Sequence, residues 1–306
     1  MDGLLVVDKP SGMSSHDAVA RARRALREKR IGHTGTLDPL ATGVLVLCVG
    51  SATRLSEYLL GEDKAYEGLI KLGERTDTDD AEGRVIDTRP VPPLTDQDLR
   101  ALESRFTGEI AQVPPQFSAI QKDGQRAYAL ARQGQAVALA PRRVRIDALR
   151  LALVNRHSEA PSDGATWLAF SVRCSAGTYI RALARDIGEV LGCGAHVASL
   201  RRTAVGPFTL ADAITLPDLE EAARAGRVTL LPMDRALANW PAVTLDEQTA
   251  RRLKQGQRIA LPDLRAQPAA KVRVYDANGC FFAVASWDGT VLKPTKVLDA
   301  ALSVVR

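Results

Sequence analysis

Cysteine is scarce in this 306-residue chain, and Cys48, Cys174, Cys193 and Cys280 show no paired spacing. That excludes a disulfide framework and a Cys-pair zinc site, and it reads as four reduced thiols in a cytosolic protein. Histidine is equally sparse: His16, His33, His157 and His196 lack ligand spacing, so no metal is expected. No apolar run approaches the length of a membrane span; the longest candidate, residues 44–49, is far too short. The opening MDGLLVVDKPSG lacks both a basic head and an extended apolar core, which argues against a signal peptide. Nor is the Gly-rich stretch at 32–43 followed by Gly-Lys-Ser/Thr; it leads into a strand-like run, which excludes a phosphate loop. A Gly-x-Ser-x-Gly elbow for acyl transfer is missing too.

What is present is an ordinary soluble composition, 45% apolar and 25% charged, long enough for one large domain or two. Forty-one basic against 36 acidic residues leave a net charge of +5. The excess is concentrated in RARRALREKR (21–30), where Glu28 alone opposes Arg21, Arg23, Arg24, Arg27, Lys29 and Arg30. Such a run is either a solvated helix face or a polyanion contact; mutual repulsion without i,i+4 relief favours the second as much as the first.

The pattern along the chain mixes strands and helices. GLLVVD (3–8) reads as a buried strand, and Ser14 with Asp17 as a capping box opening a helix through about Arg30. AYEGLIKLG (65–73) and WLAFSVRCS (167–175) read as strands. Helices are expected after the Thr95/Asp98 cap, with Leu99, Leu102 and Phe106 on one face, and after AGT, with Ile180, Leu183, Ile187 and Leu191. Residues 113–135 mix Pro, Gly, basic and aromatic residues, which suits an exposed insertion. Composition changes near 232–245, and the tail beyond carries short strands and the hairpin turn DANG, which predicts a small β domain able to fold alone.

Two charged residues bear on chemistry. Asp38 stands alone in GHTGTLDPLATG, flanked by Leu37 and Leu40, with Pro39 forcing extended backbone. It is either a turn cap or a nucleophile or base on a stiff loop at a strand end. As a nucleophile it must stay ionised where desolvation opposes ionisation, so it needs a cation. Arg181, in GTYIR (177–181), falls in the first turn of its helix, where the macrodipole disfavours positive charge. A cation there implies a negative partner, Asp38 or a phosphate, unless it is a plain surface arginine. Asp77, Asp79 and Asp80 would serve a metal-dependent phosphoesterase, the weaker alternative, but the run departs from the calcium-loop pattern and reads as a solvated turn.

The fragments GLLVVDKPSGMSSHDAV, RIGHTGTLDPLATGVLVLCVGSATRL, KAYEGLIKLGERTDTDDAEG, VPPQFSAI, CSAGTYIRALARDIGEVLGCGAHVASLRRTAVGPF and LLPMD together resemble, in order, the TruB family of tRNA pseudouridine synthases. The likeness covers residues 3 to about 234; the tail resembles the family's PUA-like domain more loosely, through LKQGQRI (253–259). It implies an α+β fold: a mixed, mostly antiparallel sheet with flanking helices over 1–240, a thumb-like RNA-binding insertion at 113–141, and a β-rich PUA-like RNA-binding domain over 241–306. It implies isomerisation of the T-loop uridine, position 55 of tRNA, to pseudouridine. Base flipping and aspartate attack would do this, at ribose C1′ or base C6, without a cofactor because the reaction is redox-neutral.

By the same resemblance Asp38 matches the catalytic aspartate. Tyr66 matches the active-site tyrosine that stacks on the flipped base and helps remove the C5 proton, and Arg181 the arginine paired with the acid. His33 matches the histidine that fills the space of the extruded nucleotide, Tyr179 a pocket wall, and Lys9 with Pro10 a motif supporting the loop. Arg201, Arg202 and the tail's Arg251, Arg252, Lys254 and Arg258 are expected on backbone phosphates. One departure is Gln121, where the family commonly has Lys; Lys122 follows it. The expected partner is the tRNA T-arm stem-loop, with a monomer in the cytoplasm, no membrane and no obligate protein partner. A non-catalytic RNA binder is the competing reading, and since an enzyme that opens the tRNA elbow can also help it refold, the two roles can coexist.

Overall fold

The structure is a computed structural model that describes all residues except 119–120, 123–124, 127–138, 155–163, 262–267 and 299–306. The first strand, β1 (Gly3–Lys9), has no polar alternation because the chain buries both of its faces. Leu5 and Val7 enter one apolar cluster, Leu4 and Val6 a second on the opposite side. The same alternation divides β3 (Thr42–Val49): Leu45, Leu47 and Val49 face one cluster, Val44, Val46 and Cys48 the other.

These strands lie in a ten-stranded sheet. In chain order it comprises β1, β2 (Ile31–His33), β3 and β4 (Lys64–Leu72), then, beyond the small hairpin β5 (Glu74–Thr76) and β6 (Val85–Thr88), β7 (Gly108–Gln112). After the two-residue strands β8 (Gln121–Lys122) and β9 (Gln125–Arg126), which pair only with each other, come β10 (Arg142–Leu153), β11 (Trp167–Cys174), β12 (Ala195–Val205), β13 (Phe208–Thr209) and β14 (Ile214–Thr215). The spatial order is β14-β1-β3-β12-β4-β11-β10-β7, with β2 on β3 and β13 on β12. All pairings are antiparallel except β1–β14 and β3–β12. At the second of these, Gly43 has φ +99°, and a Cβ there would collide with the Arg202 carbonyl. Glycine is what lets β12 approach the strand that follows Asp38.

Four helices pack on the face held by Leu5 and Leu45: α1 (Ser15–Leu26), α3 (Asp96–Phe106), α4 (Ile180–Leu191) and α5 (Leu216–Arg224), while the short α2 (Ser56–Leu60) lies on the other. Both capping boxes form: Ser14 with Asp17 and Thr95 with Asp98. Helix α1 stops at Leu26 rather than near Arg30. Arg27 turns left-handed (φ 52°), and the N–H of Glu28 closes on the Arg23 carbonyl, freeing residues 31–33 to pair with β3.

The tail forms a five-stranded sheet of β15 (Ala242–Thr244), β16 (Ile259–Ala260), β17 (Ala269–Tyr275), β18 (Phe281–Trp287) and β19 (Val291–Val297), with α6 (Glu247–Lys254) against it. DANG makes the β17–β18 turn: the Asp276 carboxylate accepts from the N–H groups of Asn278 and Cys280. This domain is less separate than its composition suggests. Val284 and Leu298 share one apolar cluster with Leu4, Val46 and Leu59, and Lys271 lies over the rings of Tyr58 and Trp240. Of the expected insertion at 113–141, most lies outside the described residues. No described helix is long and apolar enough to cross a membrane, and the four thiols are free.

Candidate active site

The loop between β2 and β3 carries Asp38, and it is held along its whole main chain. Gly35 and Thr36 carbonyls accept from Arg202, Leu37 from Ser15, Asp38 from the Ala41 N–H, Pro39 from Gly12 and Lys9, and Leu40 from Ser11. Ser15 Oγ also accepts from the Leu37 N–H at 2.8 Å, so the first turn of α1 clamps both main-chain polar groups of one residue. Buried carbonyls need such donors, and meeting all of them leaves the loop little freedom.

Two of those donors are wholly buried cations, Lys9 and Arg202. Lys9 Nζ donates to the carbonyls of Pro10, Met13 and Pro39, and burial pushes its pKa down to about 8. Arg202 donates to Val44 at 2.7 Å as well as to the loop. Neither is available to a backbone phosphate, so Arg202 supports the loop instead of holding RNA, and Lys9 supports the loop without contacting RNA. Arg201 is also committed: both terminal nitrogens reach the Asp8 carboxylate, at 2.8 and 3.2 Å, which neutralises the charge a phosphate would need.

Arg181 meets Asp38 as its position in the first turn of α4 demands. Its side chain is 6% exposed. Nη2 donates to Asp38 Oδ1 at 3.1 Å, and Nε lies 3.0 Å from Oδ2. The same guanidinium lies 3.2 Å from Asp80 Oδ2 and donates to the carbonyls of Thr78 and Phe117. Asp80 is thus a second carboxylate on the arginine, which sequence reasoning placed in a solvated turn. The signal was available: TDTDD lies within a family-like fragment, and a buried arginine can take two acids. Its neighbours do not converge on a metal: Asp79 pairs with Arg185 at 3.1 Å, and Asp77 accepts from the Arg84 N–H.

Burial raises the Asp38 pKa above the ordinary carboxylate value; Arg181 pulls it back down, while the Asp80 charge adds to the rise. A third of its side chain still faces open space. That space is a cavity of about 310 Å³, at the small end of ligand sites. Tyr66, the third residue of β4, and Leu200 form part of its wall, and Lys64, Arg142, Arg181 and Arg202 line it together with Asp38, the one carboxylate among the described lining residues. Burial raises the Tyr66 phenol, so it is neutral at ordinary pH.

Tyr179 lines the cavity, with the Arg142 guanidinium 4.3 Å from its ring centre. His33 does not line it; its ring packs edge-on against His16 at 5.2 Å, half-buried on β2. Arg142 and Lys64 are lining residues that sequence reasoning missed. Each is an ordinary strand-terminal cation until the sheet closes around the cleft.

Because the folded carboxyl of Asp38 binds its proton more tightly than the unfolded one, its ionisation lowers stability as pH rises through that window. Asp38→Asn is therefore expected to melt at or above the parent temperature at neutral pH, gaining at most about 1 kcal/mol after solvent screening, with the gain vanishing toward the ordinary carboxylate range. Arg181 keeps Asp80 and two carbonyls in that variant. Calorimetry across pH checks the sign, and a clear loss at pH 7 would contradict it. Lys9→Met should cost about 1–3 kcal/mol for each buried carbonyl it strands. A phosphate-binding Lys9 would instead remove about one unit of salt slope from RNA binding with stability intact.

Comparison with known proteins identifies the family. Residues 23–180 match the TruB family pseudouridylate synthase N-terminal domain, 181–238 the tRNA pseudouridylate synthase B C-terminal domain, and 241–298 the pseudouridine synthase II TruB C-terminal domain. The chain is 49% identical to tRNA pseudouridine synthase B of Ralstonia nicotianae, covering 97% of this chain and 94% of that protein. It is 48% identical to the Burkholderia mallei protein of the same name, with 97% of each covered. Among solved structures, a Cbf5-Nop10-Gar1 complex superposes with a TM-score of 0.73 at 25% identity, covering 97% of this chain and 84% of that one. An archaeal box H/ACA Nop10-Cbf5 complex gives 0.71 at 24%, covering 97% and 86%. With matches running through both domains, the chain belongs to the TruB family of pseudouridine synthases, isomerases that act on tRNA.

Proposed function

We propose that this enzyme isomerises the T-loop uridine at position 55 of tRNA, using Asp38 as the nucleophile on an everted nucleotide. The observation that carries the reading is the Asp38–Arg181 ion pair at the wall of a cavity with a buried tyrosine face. Pseudouridine formation breaks the bond from ribose C1′ to base N1, turns the base and joins C1′ to C5. Asp38 must be anionic to attack, and the guanidinium offsets much of what burial costs the charge. The base must leave its stack, at a few kcal/mol. The Tyr66 ring offers a stacking surface worth about 1–3 kcal/mol in return. Entering as a neutral phenol, Tyr66 suits stacking; to accept the C5 proton it must first pass its own proton on.

Electrostatics support a polyanion outside the cavity as well. Arg24, Arg27 and Lys29 at the end of α1 are exposed and have no ion-pair partner among the described residues, and Arg24 and Arg27 share a groove with Arg224 of α5. Such charges hold phosphates without reading sequence, leaving specificity to the shape of the RNA loop.

Incubating the enzyme with a T-arm stem-loop and mapping the modified base tests the position: product at the T-loop uridine is expected, and product elsewhere overturns it. Asp38→Asn should lose product formation by more than about 10³-fold while still binding RNA. Arg181→Met should shift the acid limb of the single-turnover rate to higher pH, because the remaining influences on Asp38 all favour its protonated form except Lys9. Affinity should fall steeply with salt, and Arg24→Glu with Arg27→Glu should flatten the log–log slope by about two units; an unchanged slope would remove the α1 end from the interface.

A further inference from the structure

The insertion expected at 113–141 leaves the sheet at Gln112 and returns at Arg142, and these two residues face each other as the end rung of the β7–β10 ladder. Both grip the same short segment in front of α4. Gln112 is wholly buried on an otherwise half-exposed edge strand. Its side-chain amide donates to the Tyr179 carbonyl at 3.0 Å and accepts from the Tyr179 N–H at 2.8 Å. Arg142 donates to the Gly177 carbonyl and stacks its guanidinium over the Tyr179 ring. Three residues farther along β10, the Arg145 carbonyl accepts from the Ser175 N–H and the Arg145 N–H donates to Ser175 Oγ.

Tyr179 is the N-cap residue of α4, and its own side chain makes no capping bond. A helix start without a cap is free to fray or shift. Here that would move Arg181, two residues on. The glutamine supplies from another strand what the local sequence lacks, and it fixes both the donor and the acceptor of one peptide pair, which sets direction as well as distance. Gln112 does not itself line the cavity, and among the described contacts it reaches the site only through Tyr179, not Asp38.

We propose that Gln112 is a positioning residue for the reaction. With Arg142 it locks Tyr179 and the first turn of α4 to the neck of the insertion, so that Arg181 meets Asp38 in the productive arrangement. The proposal rests on the reading of Asp38 and Arg181 given above. Misplacement of a charged group by about 1 Å is enough to cost up to about a hundredfold in rate.

Gln112→Leu keeps the side-chain size and removes both bonds. Single-turnover pseudouridine formation at saturating tRNA is expected to fall about ten- to hundredfold, with tRNA affinity within about threefold, a shift well under the tenfold step of 1.4 kcal/mol. The acid limb of the rate should also move up, as Arg181 slackens its hold on Asp38 while Asp80, Lys9 and Glu82, whose carboxylate interacts unfavourably with that of Asp38, stay in place. Arg142→Met, at a half-buried site, is the second variant, and the double variant should lose little more than the worse single one, since both hold one segment. An unchanged rate per folded enzyme and an unmoved pH limb, with only the melting temperature lowered, would make Gln112 merely structural and overturn the proposal. Should Gln112→Leu not fold, a normal rate and pH limb in Arg142→Met would overturn it equally. If Asp38→Asn retained full activity, the underlying reading would fail instead, whatever the glutamine variants did.

Discussion

A single guanidinium with two carboxylates on it organises the cleft. Arg181 draws Asp38 from the β2–β3 loop and Asp80 from the turn after β5, and it also bonds the Thr78 and Phe117 carbonyls. Three chain segments therefore converge on one buried cation. Burying charges is unfavourable unless partners replace the lost water, and here the replacement is nearly complete for the arginine but not for Asp38, which keeps an open side. The carboxyl is left with a raised pKa and an unused face. That is poor for stability and suitable for attack, because the group is held in place yet only partly satisfied.

Support for this arrangement comes from residues committed to the main chain of the Asp38 loop. Lys9 and Arg202 are charged, wholly buried and spent on main-chain carbonyls. Shorter neutral donors would not span from β1 and β12 to the loop. Both cations also raise the local positive potential: Lys9 lowers the Asp38 pKa, and Arg202 holds down the rise at Tyr66. One set of side chains thus stiffens the loop and biases its chemistry together. The sheet makes this possible through its parallel β3–β12 contact, where Gly43 admits the Arg202 main chain.

The tail domain is coupled to this core and does not hang from a linker. Its Val284 and Leu298 complete the apolar cluster on the back of β1 and β3. Lys296 pairs with Glu57 at 2.5 Å, and Tyr275 donates to Asp234 at 2.6 Å. The sheet whose β3 follows the Asp38 loop is thereby buttressed behind.

Local patterns in the chain were enough to indicate strands, capping boxes and the Asp38 loop, because periodicity, cap chemistry and turn residues act over a few positions. The ordered fragments were enough to indicate the family. The requirement that Arg181 find an anion was likewise readable, since a cation in a first helical turn is locally unfavourable. What only the tertiary structure decided is how charges are shared across distance. Arg201 and Arg202 are adjacent in sequence, yet one ends on Asp8 near the surface and the other under the Asp38 loop, because successive strand residues point to opposite faces. Gln112 carries no local mark of its partner, and the fragment that holds Asp80 does not say which cation Asp80 meets. Each acquires its role from a partner about a hundred or about seventy residues away, and pairings of that span are fixed by sheet order and register, which no short stretch of sequence contains.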